Sequence, residues 1–326
     1  MKKVIISLIV FIPVLSFIIF FIHTNNPDQA QSQNMNITEN KTTRKIDEKL
    51  RNVKSFAYQL QDIDLKAIEK TNFDLIIIDY SRDGTDENRF TKEEIDSLKS
   101  SFKIVLSYLS IGEAENYRWY WNNAWDKNND GIPDSGAPSW LGPENPEWPG
   151  NYKVKYWDPE WKQIIFKYLD KIIEANFDGV YLDIIDAYEY WGPGGESGLN
   201  RKTAEQEMID FVKSIANYTR VTKGKKDFLI FPQNGEKLGT HIDYVNTVNG
   251  IGKEDLFYLD NTPQPESYVN ESIRYLNMFK DNGKLVLIID YPTDPFLINE
   301  FYKKAREKEY IPYFSSTQKS GQVSTS

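Results

Sequence analysis

Short apolar runs alternate with amphipathic stretches along most of this chain. Residues 74–80 carry the run Leu75-Ile-Ile-Ile78 just before Asp79, the kind of continuous apolar segment that a parallel sheet buries on both faces. Residues 55–60, 103–113, 177–183, 227–231, 244–248, 285–290 and 310–314 read in the same way, each too short for a helix. Between them lie helical patterns. The clearest follows Asp158-Pro159, an N-cap and a proline at the first helical position. Beyond it Trp161, Ile164, Ile165, Tyr168, Leu169, Ile172 and Ile173 recur on one face. Thr91 and Glu94 spell a capping box. Further helices are predicted over 64–70, 203–221 and 267–282, and after Asp294-Pro295. Strand and helix alternate eight times, which predicts an α/β fold, the (β/α)8 TIM barrel. An open doubly wound sheet is the competing arrangement, but no glycine-rich phosphate fingerprint follows any strand. Residues 114–157 interrupt the alternation as a long aromatic-rich insertion after the third strand.

The two ends fall outside this pattern. Met1-Lys2-Lys3 precedes a long apolar segment over residues 4–22, either a secretory signal peptide or an uncleaved membrane anchor. It exceeds the ~7–15 apolar residues of a usual signal peptide and shows no clear small-residue cleavage site. The anchor is therefore preferred, with the basic end inside the cell and the bulk of the chain outside. Residues 23–48 read as a disordered linker, residues 49–314 as the barrel, and residues 315–326 as a disordered tail. The expected protein is a monomer, extracellular or at the cell surface.

Composition narrows the chemistry. Cysteine is absent and only His23 and His241 represent histidine. Disulfides, thiolate catalysis and cysteine zinc sites are thereby excluded, and serine–histidine triads and histidine metal centres nearly so. A net charge of −9 without a basic stripe argues against nucleic acid and is compatible with a cationic ligand. The 20 tyrosines and 8 tryptophans exceed ordinary packing needs and suit a sugar-binding cleft. In a (β/α)8 barrel the C-terminal ends of the strands converge on the catalytic face. Here they gather Gln59, Asp79, Glu113, Asp183, Asp186, Asn234, Glu254 and Asp290, with Tyr181 and Tyr291 beside them. Such a set suits glycoside hydrolysis, in which one carboxyl donates a proton and another acts as nucleophile or base. Asp79 and Asp290 are either substrate contacts or structural acceptors. Glu113 either holds an arginine such as Arg118 or binds substrate hydroxyls or amines.

At these residues the sequence resembles the endo-α-1,4-polygalactosaminidase family, glycoside hydrolase family 114. The matching stretches are Ser107-Tyr-Leu-Ser-Ile-Gly-Glu113 with its continuation to Arg118, Trp148-Pro-Gly150 through Trp161, residues 177–191, Phe231-Pro-Gln-Asn-Gly235 and Gly250-Ile-Gly-Lys-Glu-Asp255. The resemblance implies a (β/α)8 barrel that acts on α-1,4-linked, partly de-acetylated galactosamine polymers of biofilm type. It places the catalytic pair on Asp183 and Glu254. Asp79, Glu113, Asp186, Asn234, Asp290, Tyr181 and Tyr291, gathered around them, are the expected substrate contacts. Asp183, at a strand end, is expected to be the nucleophile. Glu254, on a glycine-flanked loop, is expected to be the acid/base. No cofactor is required.

Two alternatives accompany this reading: a non-catalytic carbohydrate-binding barrel and an α-galactosidase-like exo-enzyme. One stretch departs from the family pattern. Asp126, Asn128, Asp130 and Asp134 precede or flank Gly131 with the alternation of a calcium loop, but Ala137 stands where an EF-hand carries glutamate. The stretch is either a structural calcium site or an ordinary Asx-rich turn. Trp119, Trp121, Trp125, Trp140 and Trp148 around it either stack on sugars or form a mini-core of their own.

Overall fold

The structure is a computed structural model that describes residues 50–101 and 103–315. The apolar segment 4–22, the linker 23–48 and the tail 316–326 lie outside the described residues. Five strands form one parallel sheet in the order β1 (Phe56–Gln59), β2 (Leu75–Ile78), β3 (Ile104–Ser110), β7 (Gly179–Asp183) and β8 (Leu229–Pro232). Past the short antiparallel pair β10 (Tyr258–Leu259) and β11 (Thr262–Pro263), a second parallel set is completed: β9 (Gly250–Glu254), β12 (Leu285–Asp290) and β13 (Ile311–Phe314). The Gln233–Gly252 bridge joins β8 to β9, and Phe56 of β1 meets Tyr313 of β13 ring to ring at 5.5 Å. Among the described residues these eight parallel strands close the (β/α)8 barrel.

The helices form where the caps predict. Thr91 and Glu94 make the reciprocal capping box at the start of α2 (Lys92–Ser100), which follows the short α1 (Leu65–Glu69). Asp158 caps α3 (Pro159–Glu174), whose Trp161, Ile165, Tyr168, Leu169 and Ile172 are buried, while Ile164 and Ile173 are partly so. Two further helices were not foreseen, α4 (Ala187–Trp191) and α6 (Ile242–Thr247), and they flank the expected α5 (Ala204–Asn217). The series ends with α7 (Glu266–Lys280) and α8 (Pro295–Glu307).

Two corrections bear on function. Residues 244–248 do not form the sixth barrel strand; they lie mostly in α6, and the strand is β9. Close approach explains why so glycine-rich a segment is a strand. A Cβ on Gly250 would lie 2.1 Å from the Phe231 ring, and one on Gly252 would lie 1.7 Å from the Tyr181 hydroxyl. Neighbouring aromatics fill the barrel at this level, and only glycine leaves them room. Glu254 therefore terminates a strand and does not ride on a loop. The third strand likewise ends at Ser110, and Glu113 opens a separate strand, β4 (Glu113–Glu115). β4 joins β6 (Asn151–Val154) and β5 (Leu141–Glu144) in an antiparallel sheet that anchors the insertion over the barrel.

Candidate active site

Asp183 and Glu254 occupy matching positions. Each is the last residue of its strand, partly open after four buried residues. The chain then turns at once through left-handed backbone, at Ile184 with φ 58° and at Asp255 with φ 51°. A β-branched residue in that region is strained, and such strain persists only where the surroundings enforce it. Here the Ile184 carbonyl presses on Gly112, where a Cβ would come within 2.2 Å of it.

The Asp183 carboxylate accepts the Tyr108 hydroxyl at 2.6 Å and the Ile184 N–H at 2.8 Å. Burial, and then the negative charge of Glu254, push its pKa well above the usual carboxylate range. Glu254 accepts the Tyr291 hydroxyl on one oxygen and the Gln233 amide on the other. Its backbone N–H donates to Asn234 Oδ1 at 3.2 Å. Burial pushes Glu254 up to about 7, against the Tyr291 hydrogen bond, which pulls it down. Two carboxylates whose environments both disfavour charge can share a proton near neutrality, which is the condition for acid and nucleophile to coexist.

The other predicted contacts divide. Asp186 and Glu113 line both the catalytic cavity, of about 700 Å³, and an adjoining groove of about 1030 Å³. Burial raises Asp186 to about 6. Glu113 holds Lys153 at 2.6 Å and Asn145 at 2.9 Å, not Arg118. Asn234 lines the cavity and braces Glu254. Asp79 is committed elsewhere: it grips Arg118 through both oxygens at 2.9 and 2.7 Å, while Glu115 takes the same guanidinium at 2.6 Å. This buried arginine clamp fixes the wall of the cavity.

Three expected substrate contacts lie outside the lining of both cavities, and for Asp290 the structure agrees with the structural-acceptor alternative. Asp290 is fully buried and accepts the N–H groups of Leu256, Phe257 and Tyr258 at 2.9–3.0 Å, so it shapes the loop beyond Glu254. Tyr181 points into the barrel beneath the pair, against Gly252 and Tyr58, and lines neither cavity. Tyr291 acts through Glu254, to which it donates. The residues that sequence reasoning missed are Tyr108, Gln233 and Lys153. Strand periodicity held a signal for one of them, since Gln233 lies two residues past the inward-facing Phe231.

The loop at Asp126 is an Asx-rich turn. Asp126 accepts the N–H groups of Asp130 and Gly131 and the Tyr152 hydroxyl, Asp130 accepts the Ile132 N–H, and Asp134 accepts the Lys127 N–H. Among the described residues no group of three or more His, Cys, Asp or Glu side chains is placed to hold a metal ion. The tryptophans are a mini-core: Trp121, Trp125, Trp140 and Trp161 touch in series at 5.2, 5.3 and 4.9 Å. Trp148 differs from them, being 38% exposed and lining both cavities.

A model of glycoside-hydrolase family GH114 matches residues 35–326. An uncharacterized protein of Methanocaldococcus jannaschii is 44% identical over 325 residues, covering 96% of this chain and 90% of that protein. Another, of Thermotoga maritima, is 40% identical over 268 residues, covering 79% of each. Among solved structures, Aspergillus fumigatus Ega3 in complex with galactosamine is similar with a TM-score of 0.59 at 20% identity, covering 83% of this chain and 93% of that one. The glycoside hydrolase domain of Pseudomonas aeruginosa PelA is similar with a TM-score of 0.59 at 15% identity, covering 84% and 99%. At these identities the two structures speak for the shared fold.

Proposed function

Because the chain belongs to glycoside-hydrolase family GH114, we propose that it cleaves α-1,4-linked galactosamine-containing polysaccharide within the chain, by a two-carboxylate retaining mechanism. The observation that carries the reading is the carboxylate pair at the ends of β7 and β9, opening on an acidic cavity. Asp183 is the nucleophile, since a main-chain N–H that can only donate holds its anion in place. Glu254 is the acid/base, since burial raises it to about 7 and a group titrating there can both give and take a proton near neutrality. Glu254 protonates the glycosidic oxygen as Asp183 attacks the anomeric carbon, and it then takes a proton from the water that releases the sugar. The two carboxylates supply both proton transfer and nucleophile, so no cofactor is called for.

A polyamine substrate suits the cavity walls, where eight acidic residues face two arginines. The adjoining groove supports endo action, because a polymer can lie through both spaces. Ega3 was solved with galactosamine, which supports the choice of sugar. Lys2, Lys3 and the apolar residues 4–22 support export, with the barrel outside the cell. Incubating the protein with de-acetylated α-1,4-galactosamine polymer and sizing the products tests the reading. A ladder of internal fragments is expected. Release of single sugars alone would make the enzyme exo-acting, and an uncut polymer would overturn the substrate.

A further inference from the structure

Lysine is seldom buried, because its ammonium has to leave water. Lys253 is nevertheless only 8% exposed, and it sits beside Glu254 on β9. Side chains alternate along a strand, so Lys253 faces away from Glu254. It lines neither cavity. Its ammonium lies 3.6 Å from the Glu236 carboxylate, 3.4 Å from Asn234 Oδ1 and 5.4 Å from the centre of the Tyr268 ring. Burial pulls the Lys253 pKa down, but Glu236 and then Tyr268 outweigh it and the net shift is upward. Lys253 therefore stays a cation.

This buried charge is anchored on one side and coupled on the other. Ser272 of α7, itself buried, donates to the same Glu236 oxygen at 2.7 Å. On the inner side Asn234 Oδ1 accepts from Lys253 and, at 3.2 Å, from the Glu254 N–H. Asn234 and Gly235 are two left-handed residues in succession, with φ 59° and 60°. Asparagine is one of the few side chains that adopt this region readily. The Asn234 N–H is fixed in turn to the Gly252 carbonyl at 2.8 Å. One side-chain oxygen thus ties the ammonium to the main chain of Glu254.

The titratable groups that face the Glu254 carboxyl are Asp183 and Tyr181 on β7, Asp186 beyond it, Tyr58 on β1, Tyr291 past β12, and Lys253 and Asp255 on either side. Lys253 is the one cation in that set. Its charge also reaches Asp186 and Asp255, so it offsets three carboxylates that burial raises to about 6 or 7.

We propose that Lys253 is a positioning residue for the acid/base: anchored by Glu236 and Ser272, its ammonium seats Glu254 through Asn234 and limits how tightly that carboxyl holds its proton. The proposal rests on the reading of Glu254 as acid/base. Without the ammonium the carboxyl keeps its proton through neutral pH and becomes a good acid but a poor base.

Two variants of the full chain test this with opposite signs. Lys253→Met removes the cation, so Glu254 should titrate higher by roughly one pH unit. Glu236→Gln frees the ammonium from its counter-ion while keeping an acceptor for Ser272, so Glu254 should titrate lower by a similar amount. Lys253→Arg keeps the charge and should titrate as wild type does. The titration is read without substrate, from the melting-temperature difference between each variant and the same variant carrying Glu254→Gln. The pH at which that difference reaches its plateau marks the folded-state titration of Glu254. It should rise for Lys253→Met and fall for Glu236→Gln. Shifts of one sign in both, or none, would overturn the proposal, because loss of packing alone cannot drive the two apart. Should Lys253→Met fail to fold, Glu236→Gln decides: a lower plateau supports the proposal and an unmoved one overturns it. On a de-acetylated α-1,4-galactosamine oligomer the upper limb of the pH–rate profile should follow the same shifts. Plateaus that move as expected above an unmoved limb would uphold Lys253 as the charge that governs Glu254 and overturn Glu254 as the acid/base.

Discussion

The ends of β7 and β9 are two versions of one design. Each strand runs five residues from a glycine to a carboxylate, buried until its last position. Each is followed by a residue in left-handed backbone that turns the chain sharply out of the strand. The partners of the two carboxylates differ. Asp183 is held by a main-chain N–H and a phenol, Glu254 by a phenol and a side-chain amide. A main-chain N–H only donates, so it favours the anion and fixes its aim. A phenol can donate to a carboxylate or accept from an acid, and an amide can do both by turning over. Gln233 is suited to this, since its Oε1 is buried without a partner while its Nε2 serves Glu254. On the proposed mechanism one end points and the other exchanges a proton.

Replacing each carboxylate by its amide tests that division most severely. Asp183→Asn should lose on the order of 10⁴-fold or more in kcat on every substrate, because no glycosyl ester can form. Glu254→Gln should lose roughly 10²–10⁴-fold on polymer but keep its first step on an aryl glycoside with an acidic leaving group, seen as a burst. Wild-type turnover on polymer should fall as pH rises through about 7, where Glu254 gives up its proton. A burst in Asp183→Asn and none in Glu254→Gln would exchange the roles.

The partners give a finer test. Tyr108→Phe takes from Asp183 a hydrogen bond to a charged group, a contribution of about 1.5–3 kcal/mol, so kcat should drop roughly 10- to 100-fold. Tyr291→Phe should cost several-fold less, because Gln233 still holds Glu254. It should also move the upper limb of the pH–rate profile upward, since that hydroxyl lowers the Glu254 pKa. Equal losses with unmoved pH profiles would show that the two ends are alike.

Much of this frame was legible in the chain itself. Apolar runs and helix caps announce a barrel because each is a local signal. The sixth strand was misplaced for a physical reason: Gly250-Ile-Gly-Lys-Glu254 carries one aliphatic side chain, and its strand character comes from Phe231 and Tyr181 on neighbouring strands. A chain without cysteine and nearly without histidine leaves carboxylates to do the chemistry, but it was the family resemblance that singled out Asp183 and Glu254 among them. Tyr108 reaches Asp183 across 75 positions, and no spacing rule reports such a contact. Tyr181, expected among the substrate contacts, sits inside the barrel against Gly252 and Tyr58. Two residues earlier on a strand is one layer deeper in a barrel.

The strand glycines extend the comparison to stability. A Cβ on Gly179 would meet the Leu229 carbonyl at 2.3 Å, whereas one on Gly252 meets the Tyr181 hydroxyl at 1.7 Å. Both alanine variants should lose about 1–3 kcal/mol from overpacking, read in urea melts. Adding Tyr181→Phe should restore part of the loss in Gly252→Ala, since it removes the nearest clashing atom. It should restore nothing in Gly179→Ala, whose obstacle is backbone. Equal rescue of both would mean that the barrel relaxes as a whole and that the two glycines are not doing separate jobs.

The smallest effect expected is a pH-dependent difference in melting temperature between wild type and Glu254→Gln. In the unfolded chain Glu254 titrates near its ordinary value of 4.5, and in the folded protein burial raises it to about 7. Between those values the folded state keeps a proton that the unfolded state has lost. Wild-type stability must therefore fall as pH rises through this window, and the loss is complete above about 7. Glutamine does not titrate, so Glu254→Gln escapes this loss. Its melting temperature relative to wild type should be level below pH 4.5, climb between 4.5 and 7, and reach a plateau beyond, each kcal/mol of the avoided loss being worth roughly 2–4 °C. For Asp183→Asn the climb should continue to higher pH, because burial and the Glu254 charge together hold Asp183 well above the ordinary range. A constant offset for both variants across the whole range would show that neither carboxylate is protonated by its site, and the shared-proton account of the pair would fall with it.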